Sequence, residues 1–219
     1  GETGTGKERV ARAIHFNSSH SDEPFMPVNC TALTETLLES ELFGHVKGAF
    51  TGAVQSRKGF FELAGSGTVF LDEIGSTARD FQSKLLRILE DREFYPVGGE
   101  HPRRTEARII AASQRPLEDL VQAGEFREDL LFRLKVVEVC LPPLRERRGD
   151  IPLLAEHFLA RICDELHRDP VEISDSAFTK LADYDWPGNV RELEHALTRA
   201  VVLARGPVIA EEDLALDAG

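Results

Sequence analysis

The sequence predicts an α/β protein in which a mostly parallel sheet, flanked by helices, fills the first two-thirds of the chain and a small all-α domain follows. Four short apolar runs rich in β-branched residues alternate with helical stretches, a pattern that indicates buried parallel strands. These runs are Pro27 to Cys30, Thr68 to Leu71, Arg108 to Ala112 and Val136 to Leu141. After Pro142-Pro143 the pattern is purely helical, so we place one domain at residues 1–148 and the helical domain at 149–219.

The helices are predicted from the spacing of apolar side chains. Between Ala78 and Glu90 the apolar residues Phe81, Leu85 and Leu89 recur at helical intervals, which predicts one buried face. The helical domain offers three further candidates, Ile151 to Leu166, Asp175 to Asp183 and Asn189 to Ala204.

Composition narrows the class of protein. With 219 residues, of which 42% are hydrophobic and 29% charged, the chain can bury a real core. No apolar run approaches the roughly 18 residues of a membrane helix, so we expect a soluble, cytoplasmic protein. A net charge of −12 argues against nucleic-acid binding by this segment, and any DNA contact is expected in a separate domain. The cysteines, Cys30, Cys140 and Cys163, lie far apart among apolar neighbours and are predicted to be buried free thiols.

The first residues match a phosphate-binding motif. Gly1 to Lys7, here called the phosphate loop, fits seven positions of G-x-x-x-x-G-K-[ST], in which backbone N–H groups and a lysine bind phosphates. The predicted nucleotide-binding residues are Gly1, Glu2, Thr3, Gly4, Thr5, Gly6, Lys7 and Glu8. Glu8 replaces the usual Ser or Thr, so it either offers a carboxylate to Mg²⁺ or leaves that coordination to water and other residues. Such a loop normally follows a buried strand, so we expect a fragment that lacks its first strand.

A second motif supports ATP chemistry. Val69-Phe70-Leu71 is an apolar strand that ends in Asp72 and Glu73, where the ends of parallel strands form a ligand crevice. Asp72 is predicted to orient Mg²⁺ and its water, and Glu73 to act as the base that polarises the attacking water. The alternative is a solvated strand end.

The most specific signal is the segment Gly48-Ala49-Phe50-Thr51-Gly52-Ala53, here called the GAFTGA loop. The whole chain resembles the ATPase domain of bacterial sigma-54-dependent transcriptional activators. The segments GETGTGKE, VFLDEI, FREDLLFRL, LPPLRERRGDI and WPGNVREL follow in the order typical of that family. The resemblance implies an AAA+ ATPase that uses ATP and Mg²⁺ and forms rings, commonly hexamers, with ATP bound between subunits. It also implies that the partner is sigma-54 in the RNA polymerase holoenzyme, and that the GAFTGA loop contacts it to drive promoter opening.

The residues of this loop agree with that role. Gly44, Gly48 and Gly52 recur every four residues, which gives a segment able to change backbone shape, with Phe50 near its tip. An exposed Phe between glycines is suited to partner contact. The alternative is a hairpin whose Phe50 packs into its own domain. With the resemblance, we favour contact by Phe50 and Thr51 with the sigma factor.

The resemblance assigns roles to four further residues. The residue matching Asn29 holds the catalytic glutamate, whereas the structural alternative is an Asn that satisfies backbone groups at the strand end. Arg127 and Arg133 match arginine fingers that reach a neighbour's γ-phosphate. Their alternatives are surface charges, with Arg133 paired to Asp129 four residues earlier. Arg191 matches a sensor arginine of the lid, or is a lone exposed arginine.

Local patterns add one cap and two departures. Asn189 is predicted to cap the last helix, with Glu192 completing a capping box. Gln114 stands where the family often has Asn, and it carries the same amide on a longer side chain. Pro96 stands where many relatives have Arg, and no function is assigned to it.

Three functions are compatible with these residues. The first is a remodelling ATPase that couples hydrolysis between ring subunits to movement of the GAFTGA loop. The second is a non-enzymatic module in which ATP only sets the oligomeric state. The presence of Glu73, Arg127 and Arg133, all candidate catalytic residues, argues against it. The third is a ring ATPase of another AAA+ branch, against which the GAFTGA loop argues.

Overall fold

A computed structural model describes residues 1–204 and 206–216, and these divide into two compact units. The sheet unit is Lys7–Cys140. The helical unit combines Gly1–Gly6 with the described residues from Leu141 onward. The end of the helical domain predicted from the sequence, residues 217–219, lies outside the described residues. The predicted domain boundary at residue 149 stays a prediction. The chain passes between the two compact units at Gly6–Lys7 and at Cys140–Leu141.

The sheet unit is built on a parallel sheet in the order β1-β2-β5. Its strands are β1 Phe25–Asn29, β2 Thr68–Asp72, β3 Glu93–Phe94, β4 Arg103–Arg104 and β5 Arg108–Ala111, of which β3 and β4 form a separate antiparallel pair. Its helices are α1 Lys7–Phe16, α2 Glu35–Phe43, α3 Phe60–Leu63, α4 Arg79–Asp91, α5 Leu117–Gln122 and α6 Glu128–Leu134. Central strand β2 is buried along Thr68 to Leu71, as expected for an apolar strand with a neighbour on each side. Three of the four predicted strands are thereby confirmed.

The fourth predicted strand is wrong. Residues 136–141 adopt turn and irregular structure, and Val136 and Val137 are each 82% exposed. A strand needs a neighbour that accepts and donates its backbone hydrogen bonds, and none of the described strands pairs with this segment. β-Branched composition alone therefore misled the prediction.

Helix α4 packs its apolar face against the sheet unit's core, as its spacing predicts. Phe81, Leu85 and Ile88 are fully buried, and the Phe81 ring stacks on Phe43 at a centroid distance of 5.8 Å. This packing fixes the helix that follows the carboxyl end of β2, where the predicted catalytic residues lie.

The helical unit forms around three helices, α7 Ile151–Glu165, α8 Asp175–Asp183 and α9 Asn189–Leu203. They match the predicted segments to within one residue at either end. Their core surrounds the fully buried Trp186, whose indole N–H donates to the Leu181 carbonyl at 2.9 Å. A short parallel pair, β6 Glu172–Ile173 with β7 Val208–Ile209, makes the unit less purely helical than predicted. Among the described helices, none is long and apolar enough to cross a membrane.

The three cysteines are free thiols, and they differ in exposure. Cys30 and Cys163 are buried as predicted, but Cys140 is exposed because it lies in the segment that does not form a strand. Burial raises the pKa of the Cys30 thiol to about 12, and the nearby carboxylates of Asp72 and Glu73 act in the same direction.

Alkylation of the native protein at pH 8 is expected to modify Cys140 within minutes and to leave Cys30 unmodified. A pKa of about 12 lowers the thiolate fraction of Cys30 on the order of a thousandfold relative to a free thiol. Peptide mass mapping after iodoacetamide treatment measures this, with protein unfolded in guanidinium as the control in which all thiols react. Equal rates at Cys30 and Cys140 in native protein would contradict the buried position of Cys30.

Candidate functional site

Polar residues gather at the carboxyl edge of the sheet, where β1 and β2 end side by side. Asn29 and Asp72 are the last residues of these strands and are partners in the parallel register. Glu73 follows directly, and Gln114 lies three residues beyond the end of β5. The sheet therefore brings together residues that are more than 80 positions apart in sequence.

Glu73 is the centre of this cluster. Its backbone is left-handed, with φ 58° and ψ 41°, a conformation that costs free energy for a residue with a Cβ and is concentrated at functional sites. One carboxylate oxygen lies 3.3 Å from the Lys7 ammonium, and the two side chains are only 14% and 11% exposed. The other oxygen accepts a hydrogen bond from the Gln114 backbone N–H at 3.2 Å. The lysine of the phosphate loop and the predicted base are thus in contact.

Asp72 carries a carboxylate suited to a hard cation. Its Oδ1 accepts the Glu73 backbone N–H at 3.1 Å. Burial raises the pKa of Asp72, the charge of Glu73 raises it further, and Lys7 opposes both. A carboxylate that is partly desolvated beside a second carboxylate gains stability when a cation binds.

The oxygen ligands present fit Mg²⁺. Mg²⁺ is usually held by one or two carboxylates, substrate phosphates and water rather than by a protein cage. Asp72 meets that requirement, and Glu8 lies close enough to contribute to the electrostatic field at Asp72. Within the described residues, no group of three or more His, Cys, Asp or Glu side chains could hold a metal ion by itself.

Asn29 does not hold Glu73 in this structure. Its side-chain oxygen accepts from the Thr31 backbone N–H at 2.9 Å and from the Thr31 hydroxyl at 2.7 Å, which is the local role stated above as its alternative. Glu73 is held instead by Lys7 and by the backbone of Gln114. Because a backbone N–H makes the second contact, replacing Asn by Gln at position 114 leaves this contact intact.

The predicted finger arginines lie at the two ends of α6. Arg127 donates two hydrogen bonds to Asp129, at 3.0 and 2.6 Å, and this partner raises the pKa of the guanidinium. Arg133 donates to the Leu89 carbonyl at 3.2 and 3.1 Å. The pairing of Arg133 with Asp129 expected as its alternative is therefore wrong, because Asp129 is taken by Arg127.

Gln82 is a contributor that the sequence analysis missed. It is fully buried, and its Oε1 accepts the Arg127 backbone N–H at 2.9 Å while its Nε2 donates to the carbonyls of Thr77 and Glu125. These bonds fix the position where Arg127 leaves the core. A polar residue on the apolar face of α4 was the available signal.

The GAFTGA loop is a tight, glycine-dependent turn. Gly48 and Gly52 have φ values of 84° and 102°, which glycine adopts without strain. The loop closes through hydrogen bonds from Gly48 N to Ala53 O at 2.9 Å and from Ala53 N to Phe50 O at 3.0 Å. Phe50 is half-buried, with its ring 5.1 Å from the His45 ring in an edge-on arrangement, whereas Thr51 is exposed. In this conformation Phe50 packs on its own domain and Thr51 is the accessible tip.

A second loop supports the first. Val97 accepts the Val46 N–H at 3.1 Å and donates to the Gly44 carbonyl at 2.8 Å. Gly98 has φ 74°, and a Cβ placed there would lie 2.9 Å from the Ala49 side chain. This close approach requires glycine. Pro96, to which no function was assigned, accepts the Gly99 N–H at 2.8 Å in the turn.

The first six residues of the phosphate loop, Gly1–Gly6, belong to the helical unit. A Cβ at Gly4 would lie 2.2 Å from the Gly188 carbonyl and 3.2 Å from the Arg191 Cβ. The side chain of Arg191, the predicted sensor, therefore begins next to the phosphate loop. Glu2 is paired with Arg145 through two hydrogen bonds, of 2.9 and 2.6 Å, and these lower its pKa to about 2.

The predicted cap at Asn189 is wrong. Helix α9 is capped by Gly188, whose N–H donates to the Glu192 carboxylate at 2.7 Å, so only the Glu192 half of the capping box forms. The Asn189 side chain is fully buried and turns to other partners: its Oδ1 accepts the Leu144 N–H at 2.7 Å, and its Nδ2 donates to Thr3 and Glu2. A short-range sequence pattern could not foresee partners this distant.

Comparison with known proteins covers nearly the whole chain. The protein family described as Sigma-54 interaction domain matches residues 1–140, and the family described as AAA+ ATPase lid domain matches residues 145–218. The chain is 55% identical over 214 residues to regulatory protein AtoC of Escherichia coli (strain K12), covering 98% of this chain and 46% of AtoC. It is 55% identical over 211 residues to the Nif-specific regulatory protein of Herbaspirillum seropedicae, covering 96% of this chain and 39% of that protein. The chain therefore spans less than half the length of either relative.

Solved structures with the same fold include a nucleotide complex. NtrX from Brucella abortus matches with a TM-score of 0.91 and 39% identity, over 100% of this chain and 50% of NtrX. NtrX in complex with ATP matches with a TM-score of 0.89 and 38% identity, over 97% of this chain and 47% of NtrX. Hsp104, at a TM-score of 0.65 and 19% identity over 92% of this chain and 38% of that chain, shares the fold alone.

Proposed function

The chain belongs to the family of sigma-54 interaction domains with an AAA+ lid, and from that membership we propose that it is the ATP-hydrolysing domain of a transcriptional activator. It would couple hydrolysis in a ring to remodelling of sigma-54 RNA polymerase and so start transcription. The observation that carries the proposal is the contact between Lys7 and Glu73, beside Asp72, at the carboxyl edge of the sheet. Charge-bearing groups with these roles are what phosphoryl transfer requires.

The proposed reaction uses few groups. Backbone N–H groups of the phosphate loop and the Lys7 ammonium bind the phosphates. On nucleotide binding, Lys7 exchanges its ion pair with Glu73 for one with the more highly charged phosphates. Asp72 is the residue that would hold Mg²⁺, which when bound would neutralise charge on the phosphates. The Glu8 carboxylate accepts hydrogen bonds from Arg12 at 2.9 and 2.8 Å, so coordination beyond Asp72 is left to water and the phosphates. Glu73 orients a water and takes its proton while the water oxygen bonds to the γ-phosphorus and the bridging bond breaks, giving ADP and inorganic phosphate.

Further residues act around this centre in the proposal. Arg127 and Arg133 stabilise the transition state in the neighbouring subunit, and Arg191 senses the nucleotide from the lid. Asn29 switches Glu73 in another nucleotide state, which requires its bonds to Thr31 to break. Release of Phe50 from His45 would bring Phe50, with Thr51, to the sigma factor.

Two alternatives are separated from this proposal by measurement. A binding module in which ATP only sets oligomeric state would bind ATP without turnover. A ring ATPase of another branch would turn over ATP without opening sigma-54 promoters. The match of residues 1–140 to the Sigma-54 interaction domain family supports the sigma-54 partner over this alternative.

Steady-state hydrolysis by the full-length protein is expected to rise more steeply than in proportion to protein concentration, because an active site completed by a neighbour requires assembly. The same preparation should open a sigma-54 promoter with ATP and not with ADP, measured by permanganate footprinting. ATP binding with no turnover at any concentration would support the binding module instead. Turnover without promoter opening would support the other ring ATPase.

A further inference from the structure

The helical unit donates a hydrogen bond to each of three consecutive carbonyl groups of the phosphate loop. The Asn189 side-chain amide donates to Thr3 O at 3.0 Å, the Val190 backbone N–H donates to Gly4 O at 3.0 Å, and the Arg147 guanidinium donates to Thr5 O at 2.8 Å. These donors lie more than 140 positions away in sequence. Three adjacent peptide groups of the loop are therefore held by donors of the helical unit.

Holding the carbonyls also orients the N–H groups. The described chain has no cis peptide bonds, and in a trans peptide the C=O of one residue and the N–H of the next point in opposite directions. Binding the carbonyls of Thr3, Gly4 and Thr5 thus directs the N–H groups of Gly4, Thr5 and Gly6 away from the donors. Successive N–H groups that share a direction form an anion-binding nest.

Asn189 is held rigidly enough to serve as a fixed donor. It is 0% exposed and has φ 55°, a left-handed conformation that Asn tolerates better than most residues. Its Oδ1 accepts the Leu144 N–H at 2.7 Å, so its Nδ2 must face Thr3 and the Glu2 carboxylate. Arg145 in turn holds the Glu2 carboxylate, which accepts a hydrogen bond from the Asn189 Nδ2.

We propose that Asn189 and Arg147 are positioning residues that hold the phosphate loop in its anion-binding shape before nucleotide arrives. The inference rests on the proposed ATP-binding function and adds to it two lid residues, neither of which the reaction itself requires. A loop that is shaped in advance binds phosphate without first losing conformational entropy. Loss of either donor should weaken nucleotide binding and leave the chemical step nearly unchanged.

The test uses four variants of the full-length protein. Asn189→Asp keeps the acceptor for Leu144 N–H but loses the donor to Thr3 and places a second carboxylate beside Glu2. Arg147→Ala removes the donor to Thr5, and Arg147→Lys restores a donor and the charge. Arg161→Ala is the matched control, because Arg161 pairs with Glu194 and Glu165, which lie on the helices of the same unit.

ATP affinity by calorimetry and steady-state kcat and KM are measured for each protein. Losing the hydrogen bond to Thr5 should weaken ATP binding and raise KM about five- to tenfold in Arg147→Ala, with kcat within about twofold. Asn189→Asp loses both hydrogen bonds to the phosphate loop and gains a buried charge, so it should lose at least as much ATP affinity, again with kcat within about twofold. Arg147→Lys should recover most of the affinity, and Arg161→Ala should match the wild type. A merely structural role would instead lower the thermal midpoint and change Arg147→Ala and Arg161→Ala alike.

Each outcome decides the inference. Wild-type affinity and KM in both Asn189→Asp and Arg147→Ala would overturn it, as would a fall in kcat at unchanged KM. If Asn189→Asp does not fold, the comparison of Arg147→Ala with Arg147→Lys decides alone. A wild-type protein that binds ATP without hydrolysing it would refute the proposed function, while the affinities would still test the positioning role.

Discussion

Replacing Glu73 with Gln is expected to lower the ATP turnover number by about a hundred- to ten-thousandfold, the range associated with loss of a general base. The Gln side chain has the same shape, but it cannot take the proton of the attacking water. ATP affinity should stay within a few-fold of the wild type, because Lys7 and the backbone N–H groups of the loop still bind the phosphates. The variant should therefore hold ATP without consuming it.

Phosphate release and ATP affinity are measured on the same preparations to separate these effects. The control is Glu118→Gln, a change from Glu to Gln at a half-exposed residue of the sheet unit that pairs with Lys135. It should leave turnover within about twofold, since exposed ion pairs contribute about 1 kcal/mol or less. Turnover above a tenth of the wild-type value in Glu73→Gln would remove Glu73 from the role of base.

Replacing Arg133 with Ala is expected to reduce turnover by about a thousand- to a hundred-thousandfold, the range for loss of an arginine finger. Its effect on the folded subunit should be small, below about 1 kcal/mol in the free energy of unfolding, because Arg133 is exposed and its bonds within the described residues go to the Leu89 carbonyl. A large loss of activity with little loss of stability would place the function of Arg133 outside its own subunit.

Mixing two inactive variants tests that placement directly. In a ring that combines Arg133→Ala with Glu73→Gln subunits, roughly a quarter of the sites join an intact Glu73 to a neighbour's intact Arg133. Turnover should therefore reappear on mixing. Mixed proteins that stay as inactive as each variant alone, although gel filtration shows them assembled together, would contradict a shared site.

The parts of the fold that depend on local periodicity were predictable. Strands β1, β2 and β5 and helices α4, α7, α8 and α9 carry apolar side chains at strand or helix spacing, and they form close to the predicted positions. Val136 to Leu141 has the composition of a strand and does not form one, because pairing depends on a neighbour that composition does not specify. Cys140 is exposed for the same reason.

In the candidate site too, contiguous motifs were predictable and contacts between distant residues were not. The phosphate loop, Asp72 and Glu73 are contiguous motifs, so their positions and their types of chemistry could be predicted. The contacts of Asn189 and Arg147 with the loop join residues more than 140 positions apart, and no short pattern encodes them. A signal was nevertheless present for Arg147, since three arginines within four residues, Arg145 to Arg148, are unusual in an acidic chain.

Capture of sigma-54 by the full-length protein in the presence of ADP and aluminium fluoride tests the central proposal most directly. These ligands mimic the transition state of hydrolysis, when the GAFTGA loop should be extended. The wild type is compared with Thr51→Ala, which removes the hydroxyl and methyl groups of an exposed side chain and should leave ATP turnover within about twofold. We expect the wild type to bind sigma-54 and Thr51→Ala not to bind it. A folded wild-type protein that hydrolyses ATP and does not capture sigma-54 would contradict the proposed partner, and equal capture by both proteins would contradict the role of the loop.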